Sequence, residues 1–205
     1  PHLFQAEDGI RDIDRSRGIV NVYKRQPQLP GALMRCAVTV LPILHPLSET
    51  TAMSLDLDAK KTLLRKIPHG LFICGVAEGD EVNGFTASWV TQGSFEPPLV
   101  VMGVRADSTS NGMIQRTRRF SLNVLAADQK NLAATFFKPQ AAVGGRFEAA
   151  PFELGSLGLP ILKDALGGVE CELVGELAHG DHTVFIGEVK SAVLHRDGDA
   201  LELSS

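Results

Sequence analysis

Residues Asn83 to Leu99, NGFTASWVTQGSFEPPL, constrain the fold of this chain more than any other stretch. They read as a strand, a polar turn and the entry into a second strand. Thr86, Ser88, Thr91, Gln92 and Ser94 recur among apolar and aromatic residues. A strand made only for packing has no use for so many small donors and acceptors. A strand that lies along a planar polar ligand does, because each heteroatom needs a partner once water is excluded. The plain alternative is a sheet edge followed by a loop. Pro97 and Pro98 lack backbone donors and predict an extended segment just ahead of LVVMGV.

The rest of the chain continues this β character. Asp56 and Asp58 predict a capped helix from about Ala59, with Leu63, Leu64 and Ile67 on one face and Pro68 ending it. LFICGVA reads as a strand, and Glu78 to Glu81 as a hairpin turn. Arg105 to Asn111 is a polar turn before a short helix, GMIQRTRR, capped by Ser108 or Ser110. Phe120 to Ala126 is a strand, and Asp128 is expected to cap a helix through Phe137, closed by Pro139. Residues 138–167 read as a long loop of the kind that covers or binds. Gly168 to Leu177 and Thr183 to Leu194 flank the turn AHGDH as two strands. Six or seven strands with two or three helices and no βαβ regularity predict an antiparallel barrel with helical insertions.

The ends stand apart. Residues 1–52 begin with PHLFQAEDGIRDIDRSRGIVNVYKRQ, which has no sustained period; AEDGIRD and VYKRQ look like translated sequencing adapter. Ala32 to Leu47 is apolar but broken by two prolines, and Arg35 is its one basic flank, so a signal peptide is not complete. A non-native or disordered extension is expected over 1–52, with Met53 as the native start, a folded domain over 53–205, and a truncated end at Ser204-Ser205. Proteolysis is expected to trim the extension first.

Composition narrows the function. A formal net charge of −4 over 205 residues does not suggest a nucleic acid or an anionic membrane as partner. No apolar run reaches the roughly 18–20 residues of a membrane helix. Cys36, Cys74 and Cys171 are odd in number and widely spaced, which predicts reduced thiols and a cytoplasmic setting. There is no GxSxG and no GxGxxG between a strand and a helix, so neither a hydrolase elbow nor a Rossmann site is supported. His179 and His182 straddle a tight turn without a third ligand, so a solvated turn is read there and no metal site.

FTASWVTQGSFEPPLVVMGV resembles the flavin reductase family, FMN-binding split β-barrels, and is especially similar to the flavin reductase modules of flavodiiron proteins. The likeness continues through Phe120 to Leu125, Gly145 to Phe147 and Gly180 to Val189, in the family's order, over roughly residues 55–195. It implies a mainly β, antiparallel, Greek-key-like split barrel with short helices. It also implies an NAD(P)H-dependent flavin reductase, passing a hydride from nicotinamide to FMN or FAD, with NADH or NADPH as co-substrate. The nicotinamide would stack on the bound flavin rather than occupy a fold of its own.

The resemblance assigns a site. Thr86, Ala87, Ser88 and Trp89 would line the flavin ring, with Trp89 alternatively in the core or a dimer interface. Arg105, Ser108, Ser110 and Asn111 would cradle the phosphate, since a helix N-terminus offers free N–H groups and a favourable dipole; the alternative is a capped, solvated turn. Asn123 either enters the site or bonds a neighbouring strand. Arg146-Phe147 would close over the ribityl chain or a partner subunit, with Phe147 as the contact. His182 is the candidate for touching nicotinamide or flavin. A homodimer is expected, because Val143, Phe147, Phe152, Leu154, Leu157 and Leu159 crowd a loop that could not easily bury them alone. The electron acceptor would be an oxygenase or another partner. A non-catalytic FMN-binding module and an electron-transfer domain acting on a protein partner stay open.

Overall fold

The computed structural model describes residues 54–148 and 150–203. The extension expected over residues 1–52, and Cys36 with it, lie outside the described residues. Among the described residues, no helix is long and apolar enough to cross a membrane.

Twelve strands and three helices make up the described fold. In order they are α1 (Leu57–Leu64), β1 (His69–Gly70), β2 (Phe72–Glu78), β3 (Glu81–Ala87), β4 (Val90–Ser94), β5 (Leu99–Arg105), α2 (Thr109–Thr117), β6 (Arg119–Val124), α3 (Lys130–Thr135), β7 (Gln140–Ala141), β8 (Phe152–Leu154), β9 (Pro160–Leu162), β10 (Gly167–Ala178), β11 (His182–Leu194) and β12 (Glu202–Leu203). Eight strands form one sheet in the order β4-β5-β11-β10-β6-β2-β3-β7, with every pairing antiparallel. Strands β3 and β5 are not neighbours in that order yet approach one another, so the sheet curls into a split barrel.

Side-chain alternation sets two cores. On β2, Cys74 and Val76 point into the barrel with Met102, Phe120 and Phe185, while Ile73 points to the other face. Helix α2 closes the barrel end with Met113 and Ile114. It ends at Arg118, whose φ of 57° is left-handed. Two hydrogen bonds hold that conformation: Arg118 N–H donates to Ile114 O, and Arg118 O accepts from Leu173 N–H. The second core gathers Leu71, Ile73, Phe136, Phe147, Phe152 and Leu162 outside the barrel.

The described residues of 138–148 and 150–167 are more ordered than the sequence suggests. They carry β7 and the β8–β9 hairpin, and they fold back on their own barrel. Phe147, Phe152 and Leu159 are buried there; Val143 and Leu154 are exposed. Burying each large side chain is worth about 1.5–3 kcal/mol. The single chain collects that stabilisation, so these three residues do not call for a partner subunit. The physical reason is the polar outer face of β6. Ser121 and Asn123 alternate with the core residues Phe120 and Leu122, and they offer the loop fixed hydrogen-bond partners. Ser121 Oγ donates to Pro160 O, Asn123 Nδ2 donates to Ile73 O and Pro160 O, and Leu162 N–H donates to Asn123 Oδ1.

Other local expectations shift. Pro97 and Pro98 sit in the hairpin turn between β4 and β5, not in an extended lead-in. Helix α3 has Gln129 at its N-cap with no side-chain bond, so Asp128 does not cap it. Asp56 caps α1, accepting from the N–H groups of Asp58 and Ala59. No residue of α1 is buried, and Leu63, Leu64 and Ile67 lie exposed.

Candidate functional site

A cavity of about 600 Å3 opens where the end of β3, the N-terminus of α2 and the β10–β11 turn converge. Its size suits a small-molecule site. Thr86, Ala87, Ser88 and Trp89 form one wall, where the chain leaves β3 and turns into β4. Thr86 is tied in place: its Oγ1 donates to Ala133 O and its N–H to Phe136 O. Ala87 has no bulk to keep a flat ligand off the backbone. Gly103 lies behind Trp89, where an added Cβ would stand 3.1 Å from the indole. Trp89 is 51% exposed, so it belongs to a surface wall and not to the core.

The opposite end is built for an anion. Ser108 caps α2: its Oγ accepts from Asn111 N–H at 3.2 Å and donates to Arg105 O at 2.9 Å. Thr109 and Ser110 open the helix, where backbone N–H groups lack intrahelical acceptors. The first turn carries no acidic side chain to compete for them. Ser110 is 1% exposed, lines the cavity, and its Oγ has no hydrogen-bond partner. A buried hydroxyl left unmatched is costly, and an anion at this helix end would supply the acceptor.

Pairing of β5 with β11 places Arg105 opposite His182. Arg105 holds Asp107 through two hydrogen bonds of 3.1 and 2.7 Å. That guanidinium keeps the exposed Asp107 carboxyl below the usual carboxylate range. His182 stacks on Trp89, with ring centroids 4.4 Å apart and planes tilted by 37°. Its Nδ1 lies 2.9 Å from Asp181 Oδ1, a contact that holds the Asp181 carboxyl down. One ring nitrogen is thereby engaged, and the imidazole is oriented at the cavity edge.

Three residues assigned from the sequence stand elsewhere. Asn111 is buried, with Nδ2 donating to Val104 O at 3.3 Å, so it braces β5 against α2. Asn123 is spent on Ile73 of β2 and on Pro160 and Leu162 of β9. Phe147 is wholly buried against Phe136 and Phe152, so it is a core side chain. Phe85, Gly103, Val104, Asp107, Thr109, Phe137 and Pro139 line the cavity without having been singled out. Thr109 was within reach of sequence reasoning, lying between the two serines of the helix start. Phe137 and Pro139 carry no such signal.

The family described as the flavin reductase like domain matches residues 64–203. The chain belongs to this family. Its relatives include diflavin flavoprotein A 1 of Synechocystis, 34% identical over 66% of this chain and 24% of that protein. The FMN reductase (NADH) SmoA of Agrobacterium fabrum is 33% identical over 58% of this chain and 65% of that protein. Among solved structures, an NADH:FAD oxidoreductase of Streptomyces globisporus, in complex with NAD and FAD fragments, superposes with a TM-score of 0.63. It is 28% identical and covers 74% of this chain and 92% of that one. An FMN-binding protein from Thermus thermophilus gives 0.56 at 30% identity, covering 63% of this chain and 72% of that one. The chain spans about a quarter of the length of the diflavin flavoproteins it matches. The family's flavin fits the residues present: a flat wall at Ala87 to Trp89 and an anion end at Arg105 and Ser108 to Ser110.

Proposed function

We propose that this chain is an NAD(P)H-dependent flavin reductase acting on FMN. The observation that carries this reading is the unmatched Ser110 hydroxyl at the helix end of a cavity whose other end is a flat wall. Thr86 to Trp89 would face the ring, with Thr86 and Gly103 fixing the wall. Ser110, Arg105 and the first N–H groups of α2 would hold the phosphate. His182, oriented by Asp181 and Trp89, would border the second ring. A bound flavin supplies the hydride acceptor, and the protein's part is to align two rings and exclude water. That part requires no general acid or base. Relatives and neighbours that act on FMN, FAD and NADH support the reading.

Anaerobic mixing of the purified protein with FMN and each nicotinamide tests it. Bleaching of the flavin absorbance is expected; a yellow complex with no bleaching would indicate a binding module. A second reading is an electron-transfer module, favoured by the diflavin flavoproteins of which this chain matches a quarter. Flavin retained through gel filtration would support it over a reductase that releases reduced FMN to an oxygenase.

The subunit pairs with a second copy, which would cover exposed apolar side chains such as Leu63, Ile67, Phe137 and Leu177. Light scattering that gave a one-subunit mass with FMN bound would defeat this. The buried free thiols Cys74 and Cys171 suit a reducing, cytoplasmic compartment.

A further inference from the structure

A second cavity, of about 550 Å3, lies between α1 and the barrel. Trp89 lines both cavities, so the second begins where the first ends. Its floor is apolar: Leu57, Leu64, Leu203 and the half-exposed Trp89. Its rim is basic: Lys60, Lys61, Arg65 and His69 stand against a single acid, Asp58. Among the described residues, Lys60, Lys61 and Arg65 form no ion pair. Cations gathered on one rim of a chain whose formal net charge is −4 need a local reason.

An apolar floor that includes an aromatic ring, under a rim of cations without ion pairs among the described residues, matches one chemical class: a heteroaromatic ring carrying phosphates. The ring would lie on Leu57, Leu64 and the indole, and the phosphates would take charge-assisted bonds from the lysines and Arg65. An inorganic anion alone would leave the apolar floor unfilled. We infer that the cleft between α1 and Trp89 binds the adenosine diphosphate half of the nicotinamide co-substrate, with the nicotinamide half reaching past Trp89 into the flavin cavity. This rests on the reductase reading. It assigns a binding task to α1, a helix with no buried residue of its own.

The test reverses the rim charge. Lys60→Glu/Lys61→Glu keeps good helix formers at exposed positions of α1. Steady-state KM is measured for NADH and for reduced nicotinamide mononucleotide, which has the reacting ring and lacks the adenosine diphosphate half. The KM for NADH is expected to rise at least about tenfold from two lost charge-assisted contacts, with the KM for the mononucleotide unmoved. An unchanged NADH KM, or equal rises for both nucleotides, would overturn the inference. Trp89 is the sole tryptophan of the chain and gives a readout free of turnover. ADP is expected to alter its fluorescence in the unmodified protein and not in the double variant. No change in the unmodified protein, or the same change in both, would also overturn it. If neither nucleotide is oxidised, the reductase reading fails, and the ADP titration still decides the cleft.

Discussion

Ser110→Ala separates the two costs that this hydroxyl carries. In the protein without flavin, Ser110 Oγ is buried and unmatched. Leaving such a group unsatisfied costs about 1–3 kcal/mol, so its removal should leave thermal stability unchanged or raised. With FMN bound, the hydroxyl would donate to a phosphate oxygen. A hydrogen bond to a charged group is worth about 1.5–3 kcal/mol, so FMN affinity should fall roughly ten- to hundredfold. Riboflavin has no phosphate, and its affinity should not move. Ser108→Ala is the contrast. That residue caps α2, and losing a cap costs about 1 kcal/mol, so this variant should melt lower even without ligand. Differential scanning fluorimetry of the flavin-free protein and fluorescence titration with both flavins make the measurement. The reasoning is refuted if Ser110→Ala binds FMN as tightly as before, or if riboflavin loses as much affinity as FMN.

Other changes test other links. Ser88→Leu puts a branched side chain into the cavity wall and should weaken flavin binding; an unchanged titration would remove that wall from the site. Asn123→Leu strips three buried hydrogen bonds, two that fasten β9 to β6 and one to Ile73 O on β2, and urea unfolding should show a loss of about 2–4 kcal/mol. A loss below about 1 kcal/mol would mean that packing alone holds the loop down. A methyl built on Gly187 would stand 2.5 Å from Phe120 Cζ, in a core that cannot give way, so Gly187→Ala should cost about 1–3 kcal/mol. Burial, and secondly the neighbouring Glu170, push the Cys171 thiol from 9.0 up to about 12. The unfolded chain then loses this proton first as pH rises. The thiol's contribution is intact below pH 9 and shrinks as pH climbs from 9 toward 12, by about 1.4 kcal/mol per pH unit. Urea midpoints at about pH 8 and pH 10 should differ less in Cys171→Ala than in the unmodified protein, and equal differences would refute the assignment.

By itself the sequence determined several of the turns and helix starts and the chemistry available there, while β7 and the β8–β9 hairpin carried no such local signal. Glycine and aspartate between two β-rich runs mark the β2–β3 turn, and a serine before a helical stretch marks the start of α2. These are near-neighbour effects, governed by backbone preference and by hydrogen bonds that span two or three residues. They placed the strand end at Thr86 to Trp89 and the helix start at Ser108 to Ser110; the likeness to the flavin reductase family is what joined those two stretches and Arg105 into one candidate site.

Tertiary structure alone decided which polar residues face that cavity. Asn123 and Ser110 are both small polar residues that the sequence offers to the site, one in an apolar strand and one in a polar turn. Asn123 is consumed by β9, a strand that lies about forty residues further along the chain, whereas Ser110 is left unmatched. Phe147 in its glycine-rich loop read as closing over the ribityl chain or a partner subunit, and it lies in the second core because Phe136 and Phe152 form the surface that it completes. Arg105 and His182 stand far apart in sequence and become neighbours only through the register of β5 against β11. Burial and long-range pairing depend on what the rest of the chain places opposite a residue, and no local pattern carries that information.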